Sequence, residues 1–335
     1  MRLIFASSAR DPWGAEQSLL RIIKGLIELG HEVHCVFPRG AAAEYVGQST
    51  AHMVHYKPGN RLQSNFRVRQ LVSNLPTPDA LIVFSLDLMP LAGLYRRAPV
   101  FFDIHDTPDK LITRMTMRTL AKFYRGAISI SEFASAWGIG FRKVSVVPRP
   151  IDAVAAVPMR QAAGPLRVGI VGRISPEKDI EIAIRATQAA EAELHVYGAQ
   201  FGTSDAYETA MKSLAHQLGA SVLWHGRRDQ REVYSAIDAL FVGNALEPSG
   251  RTVGEAMSYG VVPITPTTGG APEYFTDLVE GLTYSPGDVQ SAAAAIIALR
   301  DDKYRQDLAT AARNRVGTER SLERVLNGYL RSVKP

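Results

Sequence analysis

Short apolar runs alternate with stretches of helical periodicity along almost the whole chain. Arg2–Ala6 is the first run, and it ends in Ser-Ser-Ala-Arg-Asp-Pro-Trp-Gly. Leu19, Leu20, Ile22, Ile23, Leu26 and Ile27 then repeat at helical spacing until Gly30 stops the pattern. Further strands are predicted at 33–37, 80–84, Val100–Ile104, 127–130 and 144–147, enough for one complete α/β domain. A second series starts at Arg167–Val171 and continues at 194–197, 222–225, 239–242 and 262–265. Helical patterns at 288–299, 304–316 and 322–333 close the chain. Strands alternating with helices build parallel sheets covered by helices. The fold class expected is therefore α/β, two Rossmann-like doubly wound domains facing across a cleft. Pro148, Pro150, Pro158, Gly164 and Pro165 fall between the two series in a stretch of little periodicity, where the linker is placed.

Composition changes this picture little. A chain of 335 residues exceeds what one core usually serves, and 46% apolar with 21% charged residues is ordinary for a globular protein. The longest apolar runs, 80–84 and 292–299, fall far short of the ~18–20 residues of a membrane span. Residues 1–12 read as a first strand and not as a signal peptide. Cys35 is the only cysteine, so an internal disulfide is impossible and a cysteine zinc site is not expected; a cytoplasmic location fits. Charge is more informative. Residues 1–150 carry 19 Lys/Arg against 11 Asp/Glu, a net of +8, whereas residues 151–335 carry 19 against 22, a net of −3. A basic first half suits an anionic partner, although a solvated basic surface would look the same.

In doubly wound sheets ligands bind beyond the carboxyl ends of strands. Gly172, Gly198, Gly226 and Gly243 stand at such ends, where chain reversal and close ligand approach favour a missing side chain. The segment Glu247-Pro-Ser-Gly250-Arg251-Thr252-Val253-Gly-Glu255 follows the 239–242 strand and enters a helix. Backbone N–H groups of Arg251, Thr252 and Val253 at that helix start favour a phosphate, with a carboxylate on either side to accept hydroxyls. Thr252 and Glu255 also have the spacing of a capping box, which needs no ligand. In Gly172-Arg173-Ile-Ser175-Pro176-Glu177-Lys178-Asp179, Ser175 reads as a helix N-cap and Pro176 as its first residue. Arg173 and Lys178 then crowd a helix N-terminus, where cations are unfavourable by ~0.3–1 kcal/mol unless an anion joins them. Diphosphate is the candidate; neutralisation by Glu177 and Asp179 is the alternative.

With these motifs the chain resembles the retaining glycosyltransferases of family 4, which have the GT-B fold. The match rests on the Glu247/Glu255 segment, Gly172-Arg173…Glu177-Lys178, Thr268-Gly-Gly-Ala-Pro-Glu273, Gly14-Ala-Glu16, His105-Asp106 and Ile130-Ser-Glu132. The resemblance implies two domains, 1–150 on the acceptor side, joined by a C-terminal helix at 319–335, and 151–318 on the nucleotide-sugar side. It implies that Arg173 and Lys178 bind the donor diphosphate, with Gly250, Arg251, Thr252 and Val253 beside them. Glu255 would take the ribose hydroxyls and Glu247 the donor sugar. Gly14 would let its loop approach the phosphate, and His105 would lie beside the reacting sugar, donating a hydrogen bond to the sugar or acceptor. A histidine at a strand end can equally cap a loop or pair with Asp106.

Departures from the family pattern also count. Pro148-Arg149-Pro150-Ile-Asp152 stands where Pro-Asn-Gly-Val-Asp is usual, which puts hinge geometry in question or adds Arg149 as a cation to the cleft. No Asp-x-Asp motif is present, so no metal or cofactor is expected and the cations would serve instead. Lys110, Arg114, Arg118 and Lys122 recur every four residues, backed by Leu111, Ile112, Met115 and Phe123. From Lys110 through Arg125 this forms a basic amphipathic helix, suited to anionic lipid or to a solvated face. Arg227 and Arg228 stand near the nucleotide base or on the surface. The expected reaction is hexose transfer with retention from a nucleoside diphosphate sugar, a UDP-sugar first and GDP-mannose second, to an acceptor hydroxyl. The short first domain favours a small or exposed acceptor. A same-fold epimerase or a non-glycosidic coupling enzyme is the main alternative. A dehydrogenase lacks its Gly-x-Gly-x-x-Gly.

Overall fold

The protein is described by a computed structural model, which covers residues 1–108, 110–154, 164–199 and 205–334. Pro158 of the expected linker lies outside the described residues. The chain divides into two compact units, Met1–Pro150 with Ser321–Pro335, and Ile151–Arg320. Chain crossings therefore fall at 150/151 and at 320/321, the second just before the last helix, Leu322–Ser332.

In unit 1 seven strands form one parallel sheet: β1 (Arg2–Ala6), β2 (Glu32–Pro38), β3 (His52–Tyr56), β4 (Ala80–Val83), β5 (Val100–Ile104), β6 (Gly126–Ser129) and β7 (Val144–Val146). Their order is β3-β2-β1-β4-β5-β6-β7, with Leu3 of β1 paired to Val33 of β2 and to Ala80 of β4. Alternate residues of β1 enter different cores. Leu3 and Phe5 pack with the helix Gly14–Glu28 and the last helix, while Ile4 and Ala6 pack with the helices Arg61–Asn74 and Leu111–Leu120. The last helix comes so close to Gly14–Glu28 that a Cβ added at Gly25 would lie 2.5 Å from Leu326 Cδ1. Tyr329, fully buried, stacks on Phe5.

Unit 2 holds six parallel strands: β8 (Arg167–Val171), β9 (Glu193–Tyr197), β10 (Val222–Gly226), β11 (Ala239–Phe241), β12 (Val262–Pro266) and β13 (Leu282–Tyr284), in the order β10-β9-β8-β11-β12-β13. Each sheet thus reverses direction once, between β1 and β4 and between β8 and β11. Two strands escaped the sequence pattern. β3 is an edge strand of His-Met-Val-His-Tyr whose burial does not alternate, and β13 is an edge strand three residues long. No helix among the described residues is long and apolar enough to cross a membrane.

Candidate active site

The reversal point of the unit 2 sheet lies between the loops that follow β8 and β11. Lys178 comes from the first loop and Glu247 from the second, and Nζ donates to Glu247 Oε2 at 2.6 Å. Asn244 donates to the same oxygen at 3.3 Å. The loop bearing Glu247 is braced from behind: Gly270 N–H donates to the Glu247 carbonyl at 2.7 Å and Thr268 Oγ1 to that of Ala245 at 2.8 Å. Gly269, at φ 86°, makes this bracing possible, since a Cβ there would meet three backbone atoms of the Glu247 loop at 3.1–3.2 Å. Gly198 and Gly243 have a different use from the ligand approach expected of them. An added Cβ would sit 1.7 Å from the Gly172 carbonyl oxygen at Gly198, and 2.5 Å from that of Asp179 at Gly243. Bare backbone lets the strand-end loops pack on each other, which brings their side chains to one place.

The other expected cations are also paired. Arg173 lies 2.5 Å from Glu177, and Arg251 2.6 Å from Glu255. Neutralisation by Glu177 thus holds for Arg173, but Lys178 turns to Glu247. Asp179 does neither; it accepts from Ile182 N–H as N-cap of the helix Ile180–Ala189. Ser175 is consequently not the cap of that helix. It precedes a single 3-10 turn, Pro176–Lys178, and makes no capping bond of its own. The capping box at Thr252 and Glu255 is overturned as well. Gly250, at φ 76°, is the N-cap of the helix Arg251–Ser258, which places Thr252 inside it. Val253 N–H donates back to the Gly250 carbonyl at 2.8 Å, so this amide closes the turn instead of facing a ligand. Glu255 lies one turn further on than expected. Its Oε2 accepts from the hydroxyl of buried Tyr234 at 3.1 Å, and Tyr234 is pushed far up in pKa by burial and by this carboxylate. Arg228 pairs with Glu232 at 3.3 Å, and Arg227 is exposed.

Unit 1 has a pocket of about 170 Å³ at its own reversal point. It is lined by residues after β1, β4 and β5, among them Ser8, Glu16, Ser85, Asp87, Asp103 and His105. Gly14 is the exposed first residue of the helix Gly14–Glu28, whose opening turn is closed by Glu16 accepting from Trp13 N–H at 3.0 Å. Glu16 is buried, and this raises its pKa, although its backbone hydrogen bonds and the nearby His105 and Arg149 pull the other way. His105 stacks on Phe84 with ring centres 4.3 Å apart. Its Nδ1 lies 3.0 Å from Oδ1 of Asp103, not beside Asp106, whose carboxylate accepts from Thr107 N–H. Strand alternation explains the partner, since residues two apart share a face. Burial alone would raise the pKa of Asp103; Arg149 and His105 outweigh it and hold the carboxyl below its ordinary range. Arg149 is therefore no cleft cation. It is 3% exposed and ion-paired to Asp103 within unit 1.

Asp103, Tyr234 and Asn244 were not singled out from the sequence. Asp103 left a signal, an acid inside the apolar run Val-Phe-Phe-Asp-Ile two places before a histidine. Asn244 follows a strand-end glycine, which is a weaker sign. Tyr234 left none. The expected backing of the basic helix also differs: Leu111, Ile112 and Met115 are 71%, 69% and 59% exposed. Arg114 is held over the Trp137 ring at 4.3 Å.

The profile described as Glycosyltransferase Family 4 matches residues 13–154, and that described as Glycosyl transferases group 1 matches residues 160–315. Glycogen synthase of Granulibacter bethesdensis is 31% identical over 124 residues, 35% of this chain and 25% of that protein. Glycogen synthase of Mycobacterium tuberculosis is 27% identical over 199 residues, 56% of this chain and 47% of that protein. The chain thus spans a quarter to about half the length of these curated relatives. Among solved structures, Anabaena HepE in complex with UDP and glucose superposes with a TM-score of 0.86, over 99% of both chains, at 20% identity. HepE has also been solved with UDP and with UDP-glucose. At this identity the likeness establishes the fold.

Proposed function

The chain belongs to the GT-B glycosyltransferases of the family 4 type, and from that premise we propose that it moves a hexose from a nucleoside diphosphate sugar to an acceptor hydroxyl with retention. A UDP-hexose is the first choice of donor, supported by the UDP and UDP-glucose complexes of HepE; GDP-mannose is the second. The observation that carries the reading is the Lys178–Glu247 pair at the reversal point of the unit 2 sheet. Arg173–Glu177 is a largely exposed pair, of the kind worth only ~0.2–1 kcal/mol. Charge-assisted hydrogen bonds to a diphosphate are worth about 1.5–3 kcal/mol each, so a donor outcompetes such internal pairs. Arg173 and Lys178 then hold the diphosphate, with Gly250, Arg251, Thr252 and Val253 at the helix start and Gly14 on the loop after β1. Glu247, released from Lys178, accepts hydrogen bonds from the sugar, and Glu255 accepts them from the ribose. In the transfer the bond from sugar C1 to the phosphate oxygen breaks and a bond from C1 to the acceptor oxygen forms. The acceptor proton leaves on the departing diphosphate. His105 accepts a hydrogen bond from a substrate hydroxyl. The two cations supply the charge compensation, so no divalent metal is required.

Turnover measured with UDP-glucose, GDP-mannose and candidate acceptors, with and without a chelator, tests this. We expect UDP-glucose to raise the melting temperature in a thermal shift and the chelator to leave turnover unchanged. Lys178→Ala should weaken UDP binding at least ~10-fold, a loss of about 1.4 kcal/mol. No shift with any nucleoside diphosphate would sink the assignment, and a donor altered without any acceptor would point to an epimerase. An anionic membrane is the proposed peripheral partner of the segment Lys110 through Arg125, on the exposure of Leu111, Ile112 and Met115.

A further inference from the structure

We propose that Arg149 is a positioning residue for His105: acting through the buried carboxylate of Asp103, it holds the ring as the Nδ1–H tautomer and leaves Nε2 as an acceptor for a substrate hydroxyl. The inference rests on the reading of the unit 1 pocket as a substrate pocket. Its geometry is a three-residue chain. Asp103 Oδ1 accepts from His105 Nδ1 at 3.0 Å and also from Arg149 Nη2. An ionised carboxylate only accepts, so the ring nitrogen facing it carries the proton. A neutral imidazole has one N–H, which leaves Nε2 bare. An unconstrained neutral ring favours the opposite tautomer, so the protein imposes this one.

What keeps Asp103 ionised is the question that singles out Arg149. The carboxyl is completely buried, which by itself favours protonation, and a protonated carboxyl could donate to the ring and reverse the tautomer. Its other oxygen, Oδ2, has no hydrogen-bond partner among the described residues. Arg149 is the guanidinium in contact with it, and its position is fixed: it is 3% exposed and lies over Phe84, the same ring on which His105 stacks. A single phenylalanine thus keeps cation and imidazole in register. The family pattern has an uncharged Asn where Arg149 stands, so this link is a property of the present chain and not one implied by the resemblance.

The test is proton–nitrogen correlation spectroscopy of protein labelled with ¹⁵N-histidine, with the His105 signals identified by their loss in His105→Asn. Above pH 7 the parent should show His105 with its proton on Nδ1. Arg149→Met should give a mixture of tautomers or the reversed one, and Arg149→Lys, which restores the charge, should recover the parent pattern. His105 carrying its proton on Nε2 in the parent would overturn the proposal, as would an unchanged pattern in folded Arg149→Met. The parent spectrum decides the tautomer even where Arg149→Met does not fold. Absence of nucleotide binding would sink the assigned function while leaving this measurement intact, so the two failures can be told apart.

Discussion

Asp103 shows how one buried carboxylate links stability to the candidate chemistry. Its pKa is lowered in the folded protein, so it binds a proton less readily there than in the unfolded chain. The stability it contributes is fully present above its ordinary pKa, near pH 4, and is lost as pH falls through the lower folded value. Glu16 has the opposite sign: its raised folded pKa lowers stability as pH climbs past the ordinary carboxylate range. Asp103→Asn leaves Arg149 buried without a counter-charge and should cost about 3–5 kcal/mol at pH 7. Urea unfolding at several pH values checks this; the gap to the parent should narrow below about pH 4, and a constant gap would contradict the linkage. At this scale the sequence revealed His105, Lys178, Glu247 and Glu255 as candidates because each stands just past a predicted strand or at a helix start. It could not give their partners. Asp106 adjoins His105 in sequence, yet Asp103 shares its strand face.

Helix starts depend on single backbone positions. Gly250 caps the helix Arg251–Ser258 in the left-handed region, and a Cβ added there would lie 2.9 Å from Cα and Cβ of Ala271. Gly226 has a similar φ of 70° but open space around it. Gly226→Ala should therefore cost only the left-handed strain, ~1–2 kcal/mol. Gly250→Ala should cost more and also weaken UDP binding several-fold, because the Glu247–Glu255 segment moves with it. Chemical denaturation and UDP titration of the two variants measure the difference; equal effects would mean that the Ala271 contact is unimportant. The sequence signalled a helix here but misplaced its cap, since Thr-x-x-Glu matches a capping box equally well. The same happened at Ser175-Pro176, where the sequence lacks any sign that a 3-10 turn intervenes before Asp179.

Charge and exposed apolar surface belong to the molecule as a whole. The surplus of basic residues lies in the first 150 residues, and Leu111, Ile112 and Met115 are exposed there beside Arg114 and Arg118. Leu62 and Phe66, near the start of the helix Arg61–Asn74, are 78% and 58% exposed. That helix and Leu111–Leu120 cover the same face of the unit 1 sheet. If this surface meets anionic lipid, the protein should float with vesicles containing phosphatidylglycerol and not with neutral ones. Added salt should weaken binding, and Leu111→Ser with Ile112→Ser should abolish it. Equal recovery on neutral and anionic vesicles would remove the electrostatic part of the argument.

The sequence by itself determined the two series of parallel strands, the ends of those strands where polar residues gather, and the family. Hydrophobic periodicity and glycine placement are local, and they survive in one dimension. Only the tertiary structure decided which charges meet. Lys178 and Glu247 are 69 residues apart and Asp103 and Arg149 are 46 apart, and strand order brings each pair together. A charge in a sequence has no direction until a sheet assigns it a face, and burial then decides how strongly it is held.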